Sequence, residues 1–216
     1  MWNPNPGPNG LHCRSVSGRS LGWRWHVSPS LHMTPVDIAD YLAGERLSET
    51  RHEYVDGELF EMIGASRAHA RLSMNLAVRL GTHLEGGPCR VALANMKVRP
   101  AIGRRFHYPD LVVSCNDPAE EEDEYVETHP TLIVEVLSES TERTDRREKR
   151  LAYQSIDSLR EYVLVAQDRR EVSVYLRDGD GWMLDVLGSG ERVVLGSVGL
   201  ELDIDDLYRG VDVPGA

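Results

Sequence analysis

The chain has 216 residues, enough to bury one core without staples, and a formal net charge of −11, too acidic to coat nucleic acid by bulk electrostatics. Hydrophobic residues at 41% and charged residues at 27% are those of an ordinary globular protein. No apolar run reaches the roughly 18 residues that a membrane-spanning helix requires. A local basic patch or a bound cation can still offset an acidic surface, so the charge lowers the expectation of tight unassisted binding and leaves the chemistry open. Cys13, Cys89 and Cys115 are few and scattered, with no C-x-x-C pair, so the expectation is no disulfide framework and a reducing, cytoplasmic setting.

Residues 1–32 carry Pro and Gly early and then Ser, Arg, Trp and His without a sustained period, and they lack the apolar stretch of a signal peptide. They are expected to be a disordered extension or to precede the true start, with Met33 opening the folded part. The folded domain is expected over 33–210 and a short tail over 211–216. Thr34 followed by Pro35 reads as an N-cap for a short helix ending near Gly44. His52 to Ile63 reads as a hairpin turning at Asp56-Gly57. Ser66 to Leu84 reads as an amphipathic helix through Leu72, Leu76, Leu80 and Leu84. Strands are predicted over Arg90 to Val98, His107 to Ser114 and Thr131 to Leu137. The acidic run Glu120 to Glu124 between the last two reads as a solvated loop. A helix over about Thr144 to Ser155 is followed by strands at Glu161 to Ala166, Glu171 to Leu176, Trp182 to Leu187 and Arg192 to Val194, with a turn at Asp178 to Gly181. The order predicts an α/β fold: one mixed sheet flanked by helices, with additional antiparallel strands.

Glu135 is the most informative residue. It lies among Leu132, Ile133, Val134, Val136 and Leu137, as in a strand buried on both faces. An ionised carboxylate there costs several kcal/mol unless it is paired or bound to a metal. Asp110 likewise heads the apolar run Leu111-Val112-Val113. Two such carboxylates can converge on one divalent cation, since Mg²⁺ is usually held by one or two carboxylates plus water and phosphate oxygens. An edge position or a structural ion pair is the plainer alternative for either residue alone.

Lys149 adds a third element. With Ala152, Tyr153 and Ile156 it occupies i, i+3, i+4 and i+7, so it borders the core-facing stripe, and Asp145 is its i−4 partner. A solvated cation is the plain alternative. Against it stands the composition: only Lys97 and Lys149 are lysines among 24 basic residues. A compact ammonium is a different tool from a planar guanidinium.

The segments HEYVDGELFEM (52–62), YPDLVV (108–113) and LIVEVLSEST (132–141), and the spacing of Asp145, Lys149 and Tyr153, resemble the Uma-two family of restriction-endonuclease-like proteins. That family belongs to the PD-(D/E)XK superfamily, and the resemblance runs from Thr34 to Tyr208. It implies a restriction-endonuclease-like fold and hydrolysis of DNA phosphodiesters with Mg²⁺ or Mn²⁺. Asp110, Glu135 and the main-chain carbonyl of Val136 would hold the cation, and Lys149 would act beside them. Leu137 stands where the superfamily carries its lysine, which is why the amine is sought on the following helix. The family match also offers Glu53 and, on the next helix, His69, which alone reads as a helix-surface histidine. Arg143, Arg146, Arg147 and Arg150, with Arg104 and Arg105, are candidate phosphate contacts or simply a solvated face. A homodimer is expected by family analogy. Two other readings remain: a binding or regulatory module of little or no catalytic power, and a structural dimerisation domain whose buried acids pair with arginines.

Overall fold

A computed structural model describes residues 35–62, 64–138 and 142–213, and within them the side chains of Glu120 and Arg143 are not described. The expectations for residues 1–34, the Thr34 cap among them, for Ile63, for 214–216 and for the Arg143 side chain lie outside that set.

Helix α1 (Ile38–Leu47) starts one turn later than Thr34-Pro35 suggests, because Asp37 is its cap and accepts from the Ala39 amide at 3.2 Å. Strands β1 (His52–Val55) and β2 (Glu58–Glu61) form the expected hairpin. Asp56 and Gly57 both have positive φ, and a Cβ at Gly57 would run into Pro35. Helix α2 (Arg67–Leu84) is capped by Ser66 and buries Leu72, Leu76 and Leu80.

The predicted strand Arg90 to Val98 divides into β3 (Arg90–Leu93) and β4 (Lys97–Val98), which leaves the main sheet after a turn. Next come β5 (Arg105–Phe106), which adds to the hairpin, and β6 (Leu111–Ser114). Strand β6 starts later than predicted: His107 only bridges to Val98, and Pro109 has no amide to give a ladder. Strand β7 (Val126–Glu127) runs parallel to β4, and β8 (Leu132–Leu137) is buried along its whole length.

The next helix is interrupted. It consists of α3 (Glu142–Thr144), a π-helical turn (Asp145–Lys149) and α4 (Arg150–Gln154). Strands β9 (Glu161–Ala166), β10 (Glu171–Asp178) and β11 (Gly181–Gly188) follow. Strand β12 (Arg192–Leu195) falls where the sequence puts it and pairs with β13 (Leu200–Asp203), which, like α5 (Ile204–Leu207), lies beyond the elements read from the sequence.

The main sheet has the order β11-β10-β9-β8-β6-β3, with β8 and β9 parallel and every other pair antiparallel. One face packs Leu111, Val134, Val136 and Val163 against Leu72, Leu76 and Leu80 of α2. The other packs Val112, Ile133, Leu137 and Leu164 against Tyr153, Ile156 and Leu159. The fold is thus the expected mixed sheet flanked by helices. Its core reaches Val211 and Val213, beyond the boundary expected at 210.

Cys89 and Cys115 are joined by a disulfide, which corrects the expectation drawn from their spacing. They are brought together by register: Arg90 pairs with Ser114, so the cysteines are the next pair along the same two strands. With these two cysteines paired, their spacing no longer points to a reducing setting. No helix among the described residues is long and apolar enough to cross a membrane.

Leu76 fills the contact between α2 and the sheet that carries the site. Leu76→Ala is expected to lower the unfolding free energy by about 2–5 kcal/mol. Urea unfolding followed by circular dichroism measures it, and a loss below about 1 kcal/mol would mean that α2 does not pack as described.

Candidate active site

Alternation along β8 puts Glu135 on the face of Ile133 and Leu137, under the helix that carries Lys149. The Lys149 ammonium lies 3.3 Å from Glu135 Oε1, and the Tyr153 hydroxyl donates to the same oxygen at 3.2 Å. Lys149 is only 6% exposed. Around its Nζ stand three carboxylates: Glu53 at 2.9 Å, Glu135 at 3.3 Å and Asp145 at 3.3 Å. Burial pushes the amine's pKa down, but the charges of Glu135, Glu53 and Asp145 outweigh it and hold the pKa well above its usual value.

The π turn explains how one helix delivers three groups to one point. In an α-helix, residues four apart drift round the axis by about 40° per step, so the third of three no longer faces the first. One wider i→i+5 turn reverses a step of that drift and keeps Asp145, Lys149 and Tyr153 on one line. All three are buried. The periodicity of a regular helix places Lys149 only at the border of the core stripe, whereas the π turn carries it inside.

Glu53 comes from the hairpin. Its Oε1 accepts from the Tyr108 amide at 3.1 Å, and its Oε2 lies 3.2 Å from His107 Nδ1. Burial raises the carboxyl's pKa, but the Lys149 charge and the His107 hydrogen bond overcome this and bring it to about 2. His107 packs edge-on against Tyr153, with ring centroids 5.6 Å apart. His107 and Tyr108 were not singled out from the sequence. The signal available was their position just before Pro109-Asp110, which fixes the chain's direction into the site.

Asp110 Oδ2 accepts from the Val136 amide at 2.7 Å and lies 3.2 Å from His69 Nε2. His69 sits in the first turn of α2, where its amide donates to Ser66 Oγ at 3.1 Å. Burial lowers its pKa. The hydrogen bond and charge of Asp110, the charge of Asp145 and a hydrogen bond to the Val136 main chain raise it further, so the net shift is upward. Asp110, Glu135, Lys149, Glu53 and His69 therefore meet at the start of β6 and along β8.

The arginines lie elsewhere or are engaged. Arg146 pairs with Glu142 at 2.9 Å and Glu171 at 3.2 Å, and Arg150 donates to the Arg146 carbonyl while lying over the Tyr175 ring. Arg147 is exposed. Arg104 and Arg105 pair with Asp37 and Asp56 beside the hairpin turn. Among the described residues neither Asp110 nor Glu135 pairs with a guanidinium, contrary to the arginine-paired reading of the buried acids.

Among the described residues no group of three or more His, Cys, Asp or Glu side chains forms a ready-made metal cage. A Mg²⁺ or Mn²⁺ ion needs less than that from the protein. Among the described residues the contacts of each carboxylate fall on one oxygen, Oδ2 of Asp110 and Oε1 of Glu135, so each keeps a second oxygen as a hard donor. Four carboxyl groups (Glu53, Asp110, Glu135 and Asp145) lie with the Lys149 ammonium and the imidazoles of His69 and His107. The excess is felt at Glu135: burial and the charges of Asp145, Asp110 and Glu53 push its pKa well up, with Lys149 opposing. The residues present fit a small dication, although His69 would have to share or yield the Val136 carbonyl.

Lys149→Met would leave Glu53, Glu135 and Asp145 buried without their cation, at a cost of about 3–5 kcal/mol at neutral pH. In the native protein the depressed pKa of Glu53 contributes stability that is complete above about 4.5 and is lost as pH falls towards about 2. Without the ammonium, burial raises the carboxyls above their unfolded values. Stability in the variant is then highest at low pH and declines as pH rises through the raised values. Urea unfolding of both proteins at pH 5 and pH 8 should show a smaller deficit at pH 5. An equal deficit at both would mean that Lys149 does not neutralise this cluster.

A family model described as "Putative restriction endonuclease", Uma2, matches residues 38–205. Two uncharacterized proteins of Synechocystis sp. are 34% identical over 185 residues and 32% identical over 158. The first match covers 85% of this chain and 97% of the relative, and the second 72% and 89%. A crystal structure of a putative nuclease belonging to DUF820 from Anabaena variabilis superposes with a TM-score of 0.64 at 19% identity, covering 75% of this chain and 92% of that one. That likeness establishes the shared fold, and the family match establishes membership: the chain belongs to the Uma2 family of putative restriction endonucleases.

Proposed function

We propose that this site hydrolyses phosphodiester bonds of DNA with the help of Mg²⁺ or Mn²⁺. The observation that carries the reading is the Lys149 ammonium, 3.3 Å from Glu135 although it arises 14 residues later, on a different element. It supplies the amine that Leu137, buried in the apolar core, cannot.

Asp110, Glu135 and the Val136 carbonyl are the groups that would hold the cation, which when bound neutralises phosphate charge and lowers the pKa of a bound water. The chain's own residues divide the remaining work. Lys149, surrounded by three carboxylates, stays protonated, so it serves as a fixed positive charge and not as a base. It can orient water or stabilise the oxyanion that develops on phosphorus. Glu53, ionised down to about pH 2, holds the ammonium in place from the hairpin side, and Asp145 does so from the helix. The Tyr153 hydroxyl and Lys149 occupy Oε1 of Glu135 and so turn its other oxygen to the site. The Val136 amide fixes Asp110 against β8 in the same way.

A second reading keeps the fold as a binding or regulatory module of little catalytic power. It is favoured by one observation: Lys149 is already held by three carboxylates and would have to loosen from one to reach a phosphate.

Supercoiled plasmid with Mn²⁺ separates the two. Asp110→Asn and Glu135→Gln, which keep shape and hydrogen bonding, are each expected to slow nicking by about 10²-fold or more. Titration calorimetry should show that both weaken Mn²⁺ binding. Nicking that survives both substitutions would rule out this site, and a native protein that neither nicks nor binds Mn²⁺ would favour the module.

A further inference from the structure

The chain's other lysine is also buried, and in the opposite electrostatic situation. Lys97, on β4, is 4% exposed. Its ammonium donates to the Tyr108 hydroxyl at 3.4 Å and lies over the rings of Tyr108 (5.4 Å) and Tyr125 (5.8 Å). No described carboxylate comes within 4.0 Å of it. Burial pushes its pKa down, with the more distant Asp123 and Glu45 opposing. An ammonium taken out of water without a counter-charge costs several kcal/mol, and such groups are normally paired or neutralised.

This ammonium opens on a cleft of about 250 Å³ whose wall includes Arg46, Arg51, Asn95 and Tyr125. Two carboxylates also line it. Glu45 is already committed, accepting from the His52 amide at 2.9 Å and the Tyr108 hydroxyl at 3.0 Å, with His52 Nδ1 at 3.1 Å. Glu124 stands at the wall without an ion pair among the described residues, and it limits how much anionic charge the cleft takes. Arg46 pairs with Asp123 at 2.8 Å and also covers the Tyr125 ring at 5.3 Å. Among the described residues the Arg51 guanidinium makes only a long hydrogen bond to the Ser48 carbonyl, at 3.5 Å, so its fork is available.

An ammonium, a guanidinium and an amide around one space suit a tetrahedral oxyanion better than a neutral ligand. The half-exposed ring of Tyr125 beside them offers a flat apolar surface of the kind on which bases stack. We propose that the Lys97 cleft is a phosphate-binding site that takes the phosphate of a nucleotide unit, with its base against Tyr125. The same chemistry is carried by a free nucleotide and by a nucleic-acid strand. The site shares no cation-holding residue with Glu135 and Asp110, and it stands whether or not those residues cut.

The test uses the full chain in EDTA, so that no metal-dependent contact contributes. Inorganic phosphate and thymidine monophosphate are titrated by calorimetry, and a short labelled single strand by fluorescence anisotropy. At least one is expected to bind, and Lys97→Met to weaken it roughly tenfold or more. Glu135→Gln should leave it unchanged. Arg51→Ala and Tyr125→Ala carry the same test if Lys97→Met fails to fold. Binding of the mononucleotide identifies a free-nucleotide site, and binding of the strand alone identifies a strand contact. Binding of none of the three, or binding that the Lys97, Arg51 and Tyr125 variants leave intact, would overturn the proposal. So would loss of binding in Glu135→Gln.

Discussion

The site is organised by one ammonium that has no water to fall back on. Lys149 is enclosed by Glu53, Glu135 and Asp145, which come from the hairpin, the central strand and the lysine's own helix. Each group is too costly to bury alone, so each needs the others. The hairpin must dock, the helix must take its π turn and β8 must keep its register for the four charges to be compensated. A one-residue slip of β8 would send Glu135 to the opposite face, into the cluster of Leu72, Leu76 and Leu80. The electrostatics of the site and the register of the sheet are thus a single constraint.

That constraint explains why the second carboxylate sits where it does. Asp110 lies just before β6, and its Oδ2 takes the Val136 amide, a donor left over at the end of the β6–β8 ladder, which stops at Leu111 and Val134. The carboxylate thus finishes the pairing of the two strands and stands next to Glu135 by geometry alone. Burial is the main cause of the raised pKa of Glu135, and the charges of Asp145, Asp110 and Glu53 add to it while Lys149 opposes. Holding an excess of acid in this way is unfavourable for the protein alone, and on the proposed function a bound dication would offset it.

Much of this was legible in the sequence because it follows from period. The apolar run around Glu135, the Asp-Gly turn and the leucines of α2 at three- and four-residue steps each have one reading, and the main elements fall where those patterns put them. The family motifs pointed at Lys149 once Leu137 had excluded the usual position. What was not legible depends on contacts distant in sequence or on departures from regular geometry. The π turn carries no periodic signature. Cys89 and Cys115 meet only through the β3–β6 register, and spacing alone could not indicate that. Glu53 looked secondary in the hairpin, yet it is the carboxylate nearest to Lys149. Strand β13 and α5, short and rich in acidic residues, left no pattern long enough to read.

The two lysines bear on the net charge of −11. A chain so acidic has no general attraction for a polyanion, so any attraction has to be local. Lys149 has more carboxylate around it than it can neutralise, and Lys97 has none within ion-pair distance. The first environment is short of positive charge, and in the second the ammonium touches no carboxylate, although Glu45 and Glu124 line the cleft. On the proposed function, a phosphate backbone accompanied by a divalent cation would complement both. In each place the charged side chain is buried, and a compact ammonium takes less room there than a planar guanidinium fork. The choice of lysine at 97 and 149, in a chain that otherwise relies on arginine, follows from burial at those two positions.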